Sequence, residues 1–104
     1  MVINDEICAL KDRLVEQLSP RKIYLFGSYA YGTPKEDSDY DFYIVLDDTR
    51  TDWHEETVKA YRAIRDARTR PVDILVGTES KFEKRKKLPT VEREVFEKGI
   101  LLFD

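Results

Sequence analysis

Sulfur, imidazole and excess positive charge are all scarce in this chain. Cys8 is the only cysteine and His54 the only histidine. A single cysteine excludes an intrachain disulfide and a thiolate metal cage. It adjoins the apolar stripe of the first predicted helix, where packing is its expected role. Long apolar runs are missing as well. No stretch approaches membrane-spanning length, and no N-terminal apolar segment follows a basic start. The reading is a cytoplasmic protein without membrane contact. With 18 Lys and Arg against 21 Asp and Glu, the net charge of −3 argues against an electrostatic grip on bulk DNA or RNA. The basic run Lys81 to Lys87 is a local exception. It reads as a solvated helix face, the alternative being contact with an acidic partner or RNA.

Repeats, low-complexity segments and interdomain linkers are absent too. A chain of 104 residues has room for a single domain, 1–104, around one core. Charged residues make up 38% and hydrophobic ones 41%, the balance of a globular protein with a heavily charged surface.

Apolar positions Ile3, Ile7, Leu10, Leu14 and Leu18 predict a helix over 4–18, capped by Asn4 or Asp5 and stopped at Ser19-Pro20. Ile23 to Phe26 reads as a strand ending at Gly27, followed by a helical turn from Ser28 to Tyr31 and a polar loop from Thr33. Asp39 to Leu46 reads as a second strand. Asp52-x-x-Glu55 resembles a capping box for a helix with Trp53, Thr57, Tyr61 and Ile64 along one side. His54 falls in its first turn, on a solvated face. Val72 to Val76 is a third strand. Thr78 and Thr90 cap helices running to Lys87 and Lys98, and Ile100 to Phe103 is a last edge strand. The order predicts an α/β (α+β) fold in two layers: one small mixed β-sheet with helices on one face.

Two short motifs carry the chemistry. Gly27-Ser28 is a turn that lets a phosphate approach the backbone and offers it a hydroxyl and N–H groups. Asp39-x-Asp41 places two carboxylates on the same face of a strand, near its start. Gly, Ser and two aspartates at fixed offsets arise by chance about once in 10^5 starting points at average residue usage. Asp73, alone between Val72 and Ile74, points away from the core face. A charge inside an apolar strand is costly without a partner. Side-by-side carboxylates repel unless a cation neutralises them, and oxygen-only ligation suits Mg²⁺ or Mn²⁺. The set Asp39, Asp41 and Asp73 is therefore expected to hold two metal ions. Asp73 is placed to accept the proton of an attacking hydroxyl. Tyr43 continues the face of Asp39 and Asp41, and either lines the cleft or belongs to the core.

These residues resemble the DNA polymerase beta-like nucleotidyltransferase superfamily, specifically its minimal nucleotidyltransferases (MNT), the antitoxins of HEPN/MNT toxin–antitoxin pairs. The likeness spans about residues 22 to 77, and the flanking helices agree in order. It implies that Gly27 and Ser28 hold a triphosphate, that Asp39 and Asp41 bind two metals, and that Asp73 is the third carboxylate. Tyr29 and Tyr31 depart from the pattern, since members often carry arginine one and three positions after the serine. Larger relatives add a helical domain that completes the cleft. Here the resemblance implies that a separate helical protein, a HEPN ribonuclease toxin, supplies that wall. The implied activity is Mg²⁺-dependent transfer of AMP from ATP to a hydroxyl, such as a tyrosine, of that toxin. A non-catalytic antitoxin that masks its toxin by contact, and a stand-alone transferase acting on a small molecule, are the alternatives.

Overall fold

The computed structural model describes residues 3–32 and 38–104. The loop expected from Thr33 lies partly outside the described residues. Helix α1 (Asp5–Leu18) begins where the Asn4 side chain accepts a hydrogen bond from the Ile7 N–H at 2.8 Å. It ends at Ser19, which takes the left-handed conformation with φ 47°. Its buried residues Ile7, Leu10, Leu14 and Leu18 follow the predicted stripe. Burying side chains of this size contributes about 1.5–3 kcal/mol each.

Strand β1 (Lys22–Phe26) leads into the one-turn helix α2 (Ser28–Tyr31). Strand β2 (Tyr40–Leu46), helix α3 (Trp53–Ile64) and strand β3 (Val72–Thr78) follow. Helices α4 (Glu79–Arg85) and α5 (Val91–Lys98) and strand β4 (Ile100–Phe103) complete the order. The four strands form one sheet in the order β3-β2-β1-β4. β1 runs antiparallel to both β2 and β4, whereas β2 and β3 are parallel. The sheet is mixed, as expected, and β4 is the predicted edge strand.

On one face α1 and α3 bury Ile23, Leu25, Tyr40, Phe42, Ile44, Leu46, Val72 and Ile74. On the other, Tyr24, Phe26, Tyr43 and Val45 pack with Phe82 of α4 and Val95 of α5. The expected single helical layer is thus α1 and α3, with α4 and α5 added over part of the opposite face. This explains why β1 reads Ile-Tyr-Leu-Phe without alternation: it is covered on both sides. Tyr43 belongs to that second core. It is 1% exposed and donates a hydrogen bond to Glu92 at 2.9 Å.

Three expectations are corrected. Helix α3 buries Ala60 and Ile64 rather than a Trp53 stripe, and Trp53 is 67% exposed. The i, i+4 pair Ala60 and Ile64 joins the core, whereas Trp53, at the first helical position, stays in solvent. Cys8 is exposed on the outer face of α1, between the inward Ile7 and Leu10. Part of the basic run is structural: Arg85 pairs with buried Glu92 at 3.0 Å, and the Lys86 ammonium lies 4.1 Å from the Phe96 ring centre. Among the described residues, no helix is long and apolar enough to cross a membrane.

Candidate active site

The parallel pairing of β2 and β3 aligns Asp41 directly with Asp73. Both lie on the face opposite α1 and α3, because their neighbours Tyr40, Phe42, Val72 and Ile74 fill the core beneath. Asp39 immediately precedes β2 rather than lying in it. Asp39 and Asp73 are exposed, and Asp41 is half-buried between them. Burial pushes the Asp41 carboxyl up to about 6, helped by the charges of Asp73 and Asp39 and by a hydrogen bond with Asp73. The influence of Asp39 on Asp41 brings it to the same cluster. Asp41 and Asp73 are nevertheless the close pair, and among the described residues no three such side chains converge into a ready-made metal cage.

That arrangement suits Mg²⁺ better than a closed cage would. Mg²⁺ is usually held through one or two carboxylates, with water and substrate phosphates completing its shell. The donor set is all oxygen and anionic, and no ion pair among the described residues joins any of these aspartates to Lys or Arg. A half-buried carboxylate facing another one is a site that a cation would relieve.

The turn before α2 abuts the carboxylates. Gly27 has φ 75°, and a Cβ there would fall 2.1 Å from an Asp41 carboxylate oxygen. Glycine is needed twice, for the backbone conformation and for Asp41's place beside it. The Gly27 carbonyl accepts hydrogen bonds from the N–H groups of Ala30 and Tyr31, at 3.0 and 3.2 Å. The earlier N–H groups of Ser28 and Tyr29 have no carbonyl partner within the turn. Ser28, next to Gly27, is exposed. Burial raises the Tyr31 phenol, the Gly27 backbone opposes this, and the charges of Glu94 and Asp41 add to it.

Sequence reading missed the brace under this turn. Tyr29 packs edge-on against Tyr40, ring centres 4.8 Å apart, and Asn4 donates to both phenol oxygens, at 3.2 and 3.0 Å. The Arg70 guanidinium lies over both rings, at 5.6 and 4.7 Å, and donates to the Ser38 carbonyl at 3.1 Å. Tyr40 in turn donates to Glu6 at 2.9 Å, and Glu6 also accepts from the Thr69 N–H and hydroxyl. Burial pushes the Tyr40 phenol up to about 12 with help from Glu6, against the opposing bond from Asn4. For Glu6, burial is outweighed by the Thr69, Tyr40 and Arg70 contacts, which hold its carboxyl below the usual range. The signal was an exposed-looking Arg70 just before a strand, and nothing in its spacing tied it to Ser38.

Two open cavities, of about 710 and 380 Å³, lie elsewhere, along the outer sides of α1 and α3. They are lined by Arg13, Lys59 and Arg62 and by Tyr61, Arg65 and Arg68 among others. Among the described residues, none of the three aspartates lines either cavity.

The profile of the nucleotidyltransferase domain matches residues 7–102. The chain belongs to the nucleotidyltransferase domain family. Its fold is shared with a chain in a crystal structure of a toxin-antitoxin with AMP-PNP, at a TM-score of 0.57 and 23% identity. That likeness covers 96% of this chain and 73% of the other. No protein of curated function matches the sequence. The family membership makes the protein a nucleotidyltransferase with a polymerase beta-like core.

Proposed function

We propose that this nucleotidyltransferase is the antitoxin of a toxin–antitoxin pair, transferring AMP from ATP to a hydroxyl of its partner. The alignment of Asp41 with Asp73 beside the Gly27 turn carries this reading. The nucleotide is recognised by the backbone and hydroxyl of Gly27 and Ser28. Asp39, Asp41 and Asp73 are the residues that would hold Mg²⁺, in two positions, with Mn²⁺ as a substitute. Bound there, the metal neutralises phosphate charge and stabilises the departing pyrophosphate.

The acceptor oxygen forms a bond to the α-phosphorus of ATP, and the bond from that phosphorus to the bridging oxygen of pyrophosphate breaks. Asp73, exposed at the outer end of the pair, takes the proton of the acceptor hydroxyl. Gly27 keeps Asp41 against the turn, so phosphate and carboxylate chemistry share one place. The partner is a helical HEPN-domain toxin and the acceptor a tyrosine on it, which follows the family resemblance. The exposure of Ser28, Asp39 and Asp73 fits a site completed by another protein. The toxin-antitoxin complex that shares this fold, crystallised with AMP-PNP, supports a toxin partner and a nucleotide substrate.

Masking of the toxin by contact alone is the alternative, favoured by the exposed Trp53, Tyr61 and Phe96 side chains. One experiment separates the two. The protein and an Asp39→Ala/Asp41→Ala variant are each expressed with the product of the neighbouring gene. Rescue by the wild type and not by the variant is expected. Equal rescue by both, with no AMP on the partner, would leave contact as the mechanism. Absence of any binding to that product would remove the antitoxin reading.

A further inference from the structure

The turn after β1 has tyrosines where the family pattern often supplies arginine, which leaves open what meets the charge of a triphosphate. The far end of the chain brings a cation there. Leu25 of β1 pairs with Ile100 of β4, so the residues before Ile100 lie beside the end of β1, where Gly27 follows. Gly99 is pressed into this corner: a Cβ on it would come 3.1 Å from the Leu25 carbonyl oxygen and 2.4 Å from that of Val95. The last residue of α5, Lys98, therefore leaves the helix beside α2. Its ammonium lies 5.9 Å from the centre of the Tyr31 ring.

Lys98 is only loosely engaged. Its carboxylate partner is Glu94, one turn earlier at 3.9 Å, and both side chains are about half exposed. Exposed i, i+4 pairs of this kind are readily exchanged for a stronger anion. Among the described residues, Arg70 also lies near the motif but is committed elsewhere. It is held between the Tyr29 and Tyr40 rings and the Ser38 carbonyl, beneath the turn rather than over it. Tyr31 is 38% exposed, so its ring is a platform that steers the lysine without closing over it.

We propose that Lys98, steered by the Tyr31 ring, is the cation that binds the outer phosphates of the nucleoside triphosphate held at Gly27 and Ser28. This rests on the nucleotide-binding reading above and supplies the charge that arginines after the serine would otherwise give. A lysine is a point charge that follows mobile phosphates, whereas an arginine fork fixes one geometry. Selectivity for ATP over AMP then comes from a residue distant in sequence from the motif.

The test is equilibrium binding of Mg·ATP and of AMP to the whole protein, measured by titration calorimetry at low salt, for the wild type, Lys98→Met, Lys98→Arg and Tyr31→Leu. Lys98→Met is expected to weaken ATP about 10-fold, the loss of a single charge-assisted contact, and AMP by less than twofold. Lys98→Arg should return ATP affinity to within about threefold of the wild type, and Tyr31→Leu should fall between. Unchanged ATP affinity in Lys98→Met overturns the proposal, as does an equal loss for AMP and ATP, which would indicate a structural role. If the wild type binds no ATP with Mg²⁺, both this proposal and the nucleotide reading fall.

Discussion

Asp41 stores a cost that the folded apoprotein bears for its site, and removing its charge should stabilise the chain. In the folded state the carboxyl titrates near 6, against the ordinary value of 3.8. The folded state therefore binds this proton more tightly than the unfolded chain, and stability falls as pH rises from about 4 to about 6. Two pKa units correspond to roughly 3 kcal/mol at full strength. Asp41 is only half-buried, so solvent screening reduces this to about 1–2 kcal/mol. Asp41→Asn keeps the shape of the side chain beside Gly27 and removes the charge. Without divalent metal, the variant should melt roughly 5–10 °C higher at pH 7.5, a domain of this size gaining about 4–8 °C per kcal/mol. The gap should close at pH 4, where the wild-type carboxyl is protonated in the folded state. Circular-dichroism melts at both pH values, in EDTA and then in Mg²⁺, measure it. A variant less stable than the wild type at pH 7.5, or a gap that does not depend on pH, would contradict an Asp41 charge that costs stability in the folded state. Magnesium should raise the melting temperature of the wild type and leave Asp41→Asn nearly unchanged.

Further substitutions probe the supports of the site. Gly27→Ala sets a Cβ against Asp41 in a backbone conformation that L residues avoid. A loss of about 1–3 kcal/mol by urea unfolding and of nucleotide binding is expected, and wild-type behaviour would contradict the close approach. Tyr43→Phe leaves buried Glu92 with Arg85 as its remaining side-chain partner and should cost about 1–3 kcal/mol in the same assay, whereas a change under 0.5 would show an idle pair. Arg70→Met removes the guanidinium from the Ser38 carbonyl and from both tyrosine rings. AMP transfer is expected to drop about 10-fold through displacement of Asp39, while a local cation–π loss of roughly 1 kcal/mol lowers the melting temperature by a few degrees.

Most of the fold was legible because its signals are local. The stripe of α1 and the caps Asn4, Asp52, Thr78 and Thr90 each act within a few residues, and all four side chains accept the expected N–H bonds. The same-face relation of Asp41 and Asp73 followed from strand alternation and the pairing of β2 with β3, whereas Asp39 precedes the strand. The packing of α4 and α5 on the second face was hidden. Charged residues dominate both helices, and only Phe82 and Val95 betray the buried side. The fate of Tyr43 depended on Glu92, 49 residues away, and the brace of Arg70 on Ser38, 32 away. Contacts of that range are fixed by the topology, and no local pattern announces them. Lys98 reaches the turn for the same reason, through the register of an edge strand.

Adenylyl transfer at the Asp41–Asp73 pair is read from the position of a label in ATP. The protein and its partner are incubated with Mg²⁺ and ATP labelled at either the α- or the γ-phosphate, beside Asp73→Asn and an EDTA control. Covalent label on the partner from α-labelled ATP only, absent in Asp73→Asn and in EDTA, is the predicted result. Incorporation from γ-labelled ATP would mean phosphoryl transfer, and undiminished α-label in Asp73→Asn would place the chemistry elsewhere.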